Sequence, residues 1–521
     1  MAQKLVTVAQ MREIDRITIQ ERGVPALELM ERAGRAVADA VVHRFQPRRV
    51  GIVTGKGNNA GDGLVVARAL SERGIAVRLV MLVQGADLSE AARHNFQRLP
   101  ENVERFDRPS GSGIESWLRD CDVVVDAILG TGASGPVRGP FGEAIAAVNG
   151  LGKPVAAIDV PSGLNADTGR VEGAGIIAQL TVTIGLPKIG MIVGAGKPFA
   201  GEVIVADIGF PEDLTHDPDL KLHLLELQDV WNSLPNRPFD GHKGTFGSVL
   251  VVAGRLGMDG AAYLTTAAAL RSGCGMVYAA FPHKVMRLVA ASLVEAVKIP
   301  HLGDAGEFLT HHFWDALRPF VERVDVIALG PGIGTHPETA RLVDDLIGQE
   351  VPMVIDADGL NCLVDKVSRL TERKAALVLT PHPGEMGRLV GKSAEHVQAN
   401  RVETAAQLAR GANAVVLLKG AQTVIAEPEG RCFVNPTGNS GMAKGGMGDV
   451  LTGLIGGLIA QGCSASNAAC VGAYVHGLAG DLAREDLGER GMTARDVLQR
   501  IPQALDARGK KKEREKAVNA Q

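Results

Sequence analysis

The chain has 521 residues, 45% hydrophobic and 22% charged, the proportions of an ordinary globular protein; wholesale disorder is excluded and two or three domains are expected. A net charge of −4 supplies no global basic field and argues against nonspecific nucleic-acid binding as the main task. Sixty-four glycines against 4% aromatics favour close backbone approaches, as in phosphate-binding turns, over aromatic base-stacking platforms.

In chain order, the opening segment is helical: MREIDRITIQ and LELMERAGRAVADAVV repeat apolar positions at three and four. From Val50 short Val/Ile-rich runs (RRVGIVTG, AVRLVMLV, CDVVVDAILG, PVAAIDVPSG, LTVTIGL) alternate with amphipathic stretches such as GLVVARALSERG. Runs that barely alternate predict parallel strands buried on both faces, and strand–helix alternation predicts a doubly wound α/β sheet. PEDLTHDPDL and NRPFDGHKGTFG interrupt this pattern, as linkers do, and it resumes with GSVLVVAG, DVIALGPG, MVIDADGL, AALVLTPHPGE and AVVLLKG. The expected division is 1–224, 225–508 and a charged tail, 509–521. The two halves share no motif and read as a fusion. The six cysteines are scattered without a CxxC pair and read as reduced, mostly buried thiols. With no basic-then-apolar leader and no apolar run of about 18 residues, the expectation is a soluble, cytoplasmic protein.

The turn after the first strand, GKGNNAGDG (Gly55–Gly63), precedes the helical LVVARAL. Its glycines permit close approach and its helix start offers free N–H groups to a phosphate; it is neither GxGxxG nor a Walker loop, and a tight connection is the competing reading. Asp126 ends the strand VVVDA and Asp159 the strand VAAID, at the edge that lines ligand crevices in parallel sheets; each could instead cap a turn. Two carboxylates on neighbouring strand ends repel. Either one acid is pushed up, or a mono- or divalent cation lies between them, held by Asn59, Asp126 and the Ser162 region; a proton-carrying Asp159 would serve as general acid/base.

LMERAG, GKGNNAGDG, DAILGTG and DVPSGLNADTG together resemble the YjeF N-terminal family of NAD(P)H-hydrate epimerases, over roughly residues 5–215. The resemblance implies that Asn58, Asn59, Ala60, Gly61 and Asp62, with the loop Gly130, Thr131, Gly132, Ala133, Ser134, Gly135 and Pro136, hold the hydrated dinucleotide. It implies potassium at Asn59, Asp126 and Ser162, and contact between Asp159 and the reacting hydrate.

In the second half, NPTGNSGMAKGGMGD (Asn435–Asp449) precedes the apolar VLTGLIGGLIAQG. Gly445, Gly446 and Gly448 leave N–H groups open at a helix start, a nest suited to a phosphoryl group in transit; an Asp449 N-cap with a glycine hinge is the competing reading. Lys419, Gly420, Ala421, Gln422 and Thr423 follow a strand and could reach nucleotide phosphates, although a strand-terminal lysine is ordinarily solvated. His382 and Glu385 lie in TPHPGE; His382 could be structural, and Glu385 could organise Mg²⁺ through water. GPGIG (330–334) is a further close-approach loop. Asp356 and Asp358 would share a side if extended, and the sequence assigns them nothing beyond a structural role.

GMGD matches the anion-hole motif of the ribokinase-like superfamily. With HKGTFG, GAAYLTTAAALRSGCGMV, GPGIG, DADGLN, TPHPGE, LKGAQT and GNSGMAKGGMGDVLTG, residues 225–505 resemble the ADP-dependent NAD(P)H-hydrate dehydratases. Arg255 stands where that family usually has serine. The resemblance implies that Lys419–Thr423 and Gly448 hold the adenine nucleotide, that Ala261, Gly332, His382 and Asp449 contact the hydrate, and that Asp449 is the catalytic base. The expected architecture is α/β throughout: an N-terminal Rossmann-like doubly wound sheet and a C-terminal ribokinase-like α/β domain. The expected function is repair of hydrated NADH and NADPH (NADHX and NADPHX): epimerisation at C6, then ADP-dependent dehydration to AMP and phosphate, with K⁺ in the first domain and Mg²⁺ in the second. Small molecules are the expected partners, with no nucleic acid or membrane, and a homo-oligomer the expected state. Two rivals stand beside this: a small-alcohol kinase of the vitamin-precursor type, which leaves the first domain without purpose, and a nucleotide-binding scaffold, which does not need Asp159 and Asp449.

Overall fold

The computed structural model describes residues 3–132, 135–300 and 306–507; Ala133, Ser134 and the tail 509–521 lie outside the described residues. The chain divides into two compact units, Lys4–Leu220 and one that begins at Lys221.

In the first unit seven parallel strands form one sheet: β1 (Arg49–Thr54), β2 (Ala76–Met81), β3 (Glu104–Asp107), β4 (Val123–Ala127), β5 (Val155–Ile158), β6 (Leu180–Ile184) and β7 (Glu202–Ala206). Their order, β3-β2-β1-β4-β5-β6-β7, reverses direction between β1 and β4, and the crevice at the carboxyl ends of that pair is where open α/β sheets bind ligands. Helices α1 (Val8–Arg16), α2 (Ala26–Phe45) and α3 (Asn58–Glu72) pack nearby. On α2, Leu29, Met30, Ala33, Val37 and Val41 are buried at helical spacing, so a single stripe docks on the core. Helix α3 is buried from Asn59 to Ser71. Gly63 is what lets it lie so close, because a Cβ there would come within 2.5 Å of the Ala127 side chain on β4.

The second unit holds β8 (Leu222–Leu224), β9 (Ser248–Val252), β10 (Met276–Phe281), β11 (Val297–Pro300), β12 (Val326–Leu329), β13 (Met353–Ile355), β14 (Leu377–Leu379), β15 (Val415–Leu418), β16 (Val424–Ala426) and β17 (Cys432–Val434), in the order β8-β17-β16-β15-β14-β13-β12-β9-β10-β11. Pairing is parallel from β15 through to β11, but β16 runs antiparallel to both neighbours. A five-residue connection cannot return a chain to the same edge, so Lys419–Thr423 closes a hairpin instead of a crossover. This sheet is therefore mixed. Helices α4 (Asp259–Arg271), α5 (Ala357–Asn361), α6 (Pro383–Val390), α7 (Met447–Ala460) and α8 (Ala465–Gly491, kinked at Gly488) complete the parts that bear on function. All six cysteines are free and five are buried, burial pushing the Cys121 thiol up to about 11. Among the described residues no helix is long and apolar enough to cross a membrane.

Candidate functional sites

The loops after β1 and β4 meet at a cavity of about 570 Å³. Asn58, Asn59 and Asp62 from the first turns of α3 line it, with Gly130, Thr131 and Gly132 after β4, Asp159 after β5, and Asp15 from α1. Arg12 Nη2 donates to the Thr131 carbonyl at 3.1 Å and steadies that loop. Ala60 and Gly61, which the resemblance grouped with these, are buried in packing: a Cβ on Gly61 would meet Met30 Sδ at 2.6 Å. Gly135 and Pro136 are exposed.

Asn59, Asp126 and Ser162 are linked through the backbone of one residue, Leu129. The Asn59 amide Nδ2 donates to the Leu129 carbonyl at 3.0 Å, and the Leu129 N–H donates to Ser162 Oγ at 2.8 Å. The Ser162 hydroxyl and N–H donate to the two Asp126 oxygens at 2.6 and 2.8 Å. Asn59 Oδ1 is buried with no hydrogen-bond partner, an acceptor that a cation would satisfy. Asp126 is pushed up to about 6 by burial, partly offset by hydrogen bonds from Ser162 and Ile128. The expected repulsion between Asp126 and Asp159 is not the cause. Asp126 turns to Ser162, whereas Asp159, with φ +62°, swings to β6.

There Asp159 pairs with Lys188, a residue the sequence reading passed over. Lys188 is 1% exposed. The signal was a lone cation in the apolar GLPKIG. Asp15 is pushed up to about 6, by burial first, with Lys188 lowering and Asp159 raising it. Asp62 is pushed well above the carboxylate range by burial and by the charges of Asp159 and Asp15.

In the second unit the glycine turn is open. Gly446 is the N-cap of α7, at φ +89°, and gives no side-chain cap; a Cβ on Gly445 would meet nothing within 4 Å. Asp449 is thus not the cap. It sits in the first helical turn, pushed up to about 6 by burial, then by Asp356, with Lys419 opposing and Asp358 adding. Gly448 faces the same charges: a Cβ there would stand 3.1 Å from both Asp356 Oδ2 and Lys419 Nζ.

Lys419 is not a solvated strand end. Its Nζ donates to Asp356 Oδ1 at 2.5 Å and lies 3.8 Å from Glu385 Oε2. Asp356 also accepts from Thr452 Oγ1 at 2.8 Å. Asp356 and Asp358 are not extended, because Ala357 has φ +49°; Asp358 accepts the Gly334 N–H at 2.9 Å and ties GPGIG to the site. Asp356 is therefore a part of the charge cluster that the sequence did not disclose. Buried Arg401 pins the Lys419–Thr423 hairpin through the Leu418, Lys419 and Gln422 carbonyls at 3.1, 3.4 and 3.4 Å. His476 on α8 is buried, its Nε2 unpartnered, and burial with the Lys419 charge brings it down to about 4.

Ala261 and Gly332 come together: a Cβ on Gly332 would lie 3.0 Å from that of Ala261. His382 caps α6, its Nδ1 accepting the Gly384 and Glu385 N–H groups at 3.0 and 3.3 Å, while the side chain stays 51% exposed. Glu385 completes the capping box by accepting the His382 N–H at 2.8 Å. Arg255 is exposed, and its stem packs beside Gly334. Among the described residues no group of three or more His, Cys, Asp or Glu could hold a metal ion. Magnesium, which keeps its water and rides on nucleotide phosphates, does not require one.

Comparisons with known proteins fall on both units. Residues 26–190 match the family model of the YjeF-related protein N-terminus, and residues 249–503 that of the NAD(P)H-hydrate dehydratase. A bifunctional NAD(P)H-hydrate repair enzyme of Moorella thermoacetica is 43% identical over 520 residues, covering 96% of each chain; one of Escherichia coli is 34% identical over 498 residues, covering 93% of this chain and 91% of that one. A Bacillus subtilis ADP/ATP-dependent NAD(P)H-hydrate dehydratase, co-crystallised with ATP and Mg²⁺, is 31% identical and superposes with a TM-score of 0.47 over 54% of this chain and 96% of its own. With two family models in this order and relatives matched along nearly their whole length, the chain belongs to the family of bifunctional NAD(P)H-hydrate repair enzymes.

Proposed function

We propose that each unit carries one step of the repair: the first interconverts the C6 epimers of hydrated NADH and NADPH, and the second dehydrates the S epimer with ADP. The observation that carries this reading is the convergence on one helix start of an open glycine turn, an aspartate with a raised pKa and a lysine–aspartate pair.

In the second unit Asp449 takes the proton of the C6 hydroxyl. The resulting oxygen attacks the β-phosphorus of ADP, the bond to the bridging oxygen breaks, and AMP departs. N–H groups of the Gly445–Gly448 turn and the Lys419 ammonium face the charge on the migrating phosphoryl group. The ring nitrogen then expels phosphate with its electron pair, and loss of the C5 proton restores the double bond. Lys419–Thr423 and Gly448 hold the nucleotide; Ala261, Gly332 and His382 line the hydrate. Mg²⁺ enters with the nucleotide as part of that substrate.

In the first unit Asp159 gives a proton to the departing hydroxyl, the C6–O bond breaks, and water leaves a planar cation stabilised by the ring nitrogen. Water returns on either face and its proton goes back to Asp159. Asn58, Asp62 and Gly130–Gly132 border the substrate. Asn59 Oδ1, Asp126 and Ser162 fit potassium, whose positive charge would hold the Leu129–Gly132 backbone in place.

The test is incubation of mixed hydrate epimers with Mg²⁺ and ADP. Recovery of reduced-nicotinamide absorbance for both epimers, with release of AMP and phosphate, is expected; a stable phosphorylated product would favour the kinase rival, and ADP binding without turnover the scaffold.

A further inference from the structure

Lys188 lies at the floor of the epimerase cavity and holds its aspartate in an unusual way. Its Nζ donates to Asp159 Oδ1, to Thr183 Oγ1 at 3.2 Å and to the Ile184 carbonyl at 2.9 Å. The Thr183 hydroxyl in turn donates to the same Oδ1 at 3.2 Å, and the Ile184 N–H does so at 3.0 Å. Oδ1 therefore receives three donors. Oδ2 receives none among the described residues, while Asp159 lines the cavity. The backbone agrees: the Asp159 N–H donates to the Val182 carbonyl at 2.8 Å, which fixes the left-handed turn that points the carboxyl at β6.

We infer that Lys188 is a positioning residue for epimerisation, which saturates Oδ1 of Asp159 and leaves Oδ2 as the single oxygen that exchanges a proton with the C6 hydroxyl and the returning water. This rests on the proposed acid/base role of Asp159. Each half of the reaction balances on Oδ2: the O–H bond there breaks as water departs from C6, and re-forms as the incoming water becomes the new hydroxyl. The other charged groups facing this pair are Asp15 and Arg12 from α1, Asp62 from α3 and Lys56 from the loop before it. Asp15 and Asp62 are both pushed up, by burial first and in part by the charge of Asp159, and Lys188 is the cation paired with Asp159 in this acidic cluster.

The test uses the full chain, with dehydratase activity as the internal check on folding and epimerisation followed separately by chromatography of a single purified epimer. Lys188→Met is expected to lower epimerase kcat by about 100-fold with KM little changed and to move the alkaline limb of the pH–rate profile, where the protonated acid is lost, upward by about one unit; Lys188→Ala, which leaves room for an added amine, is expected to regain part of its rate with ethylammonium but not with ethanol. Should Lys188→Met fail to fold, Thr183→Val removes one bond of the ring and is expected to lower kcat by a few-fold, about 3 to 10, with a profile shift of the same sign. Unchanged kcat and profile in the variant that folds, or rescue by ethanol and ethylammonium alike, overturns the inference. Asp159→Asn separates the two readings: if it epimerises normally, the role of Asp159 falls; if it is inactive while Lys188→Met is not, only the role of Lys188 falls.

Discussion

Lys419 Nζ and Asp356 Oδ1 stand 2.5 Å apart, joining the ends of β15 and β13 across the intervening β14. Asp356 is almost fully buried, so the pair forms in a poorly solvated place beside the glycine turn. Removing one partner leaves the other's desolvation unbalanced. Asp356→Leu is expected to lose about 3 kcal/mol of stability in the second unit, measured by urea unfolding, and to lose ADP-dependent turnover. Adding Lys419→Met should restore much of the stability and none of the turnover.

Asp449 gives a variant of the opposite kind. Its carboxylate makes no structural hydrogen bond among the described residues, so Asp449→Asn should fold normally, with dehydration slowed at least about 100-fold and epimerisation intact. In the parent the proposed base must be ionised to act, so dehydratase rate should fall as pH drops through about 6. Stability runs the other way. The folded pKa lies above the unfolded one, so ionisation opposes folding between about pH 4 and 6, and the whole penalty remains above that window. Asp449→Asn should gain up to about 3 kcal/mol at pH 8 and only a small fraction of that at pH 4, read by urea unfolding at both.

Gly448→Ala separates nucleotide binding from folding. Gly448 is in the first turn of α7, where alanine is the better helix former by about 0.5 to 1 kcal/mol. The added methyl would crowd Asp356 Oδ2 and Lys419 Nζ, each 3.1 Å away, where the phosphate of the proposed nucleotide would approach. Calorimetry with ADP and Mg²⁺ should show affinity reduced at least about tenfold, with a melting temperature no lower than the parent's.

Asn59 tests the cation site. Loss of its unpartnered Oδ1 in Asn59→Ala should abolish K⁺-dependent thermal stabilisation of the first unit and lower epimerase activity by about tenfold. Thermal unfolding in K⁺ against tetramethylammonium reads the first effect without any substrate.

Most of the strand frame was legible because buried parallel strands announce themselves as unbroken Val/Ile runs, as in VVVDA and VVLL. The edge strands Glu104–Asp107 and Glu202–Ala206 were not, since their exposed faces interrupt the apolar signal. Nor were Val424–Ala426 and Cys432–Val434, three residues each, whose hairpin made the second sheet mixed. At the sites, Asp126, Asp159, Asp449 and Lys419 were visible as polar residues at strand or helix ends. Asp15, Lys188, Asp356 and Thr452 act through partners between 29 and 173 positions away, and a spacing rule does not reach that far. Lys188 is the clearest case: beside Ile184 it is a local lysine in an apolar loop, and only the fold gives it Asp159.

The left-handed backbone at Asp159 has a consequence for how this domain can change. A non-glycine residue there carries about 1 to 3 kcal/mol of strain, and aspartate toward the low end, so glycine would relax the turn. Yet glycine would also abandon the buried ammonium of Lys188, at about 3 to 5 kcal/mol. The larger loss wins. Truncation at position 159 would loosen the domain as it removed the proposed proton carrier, and drift toward an inert but sturdy descendant would have to replace the lysine as well.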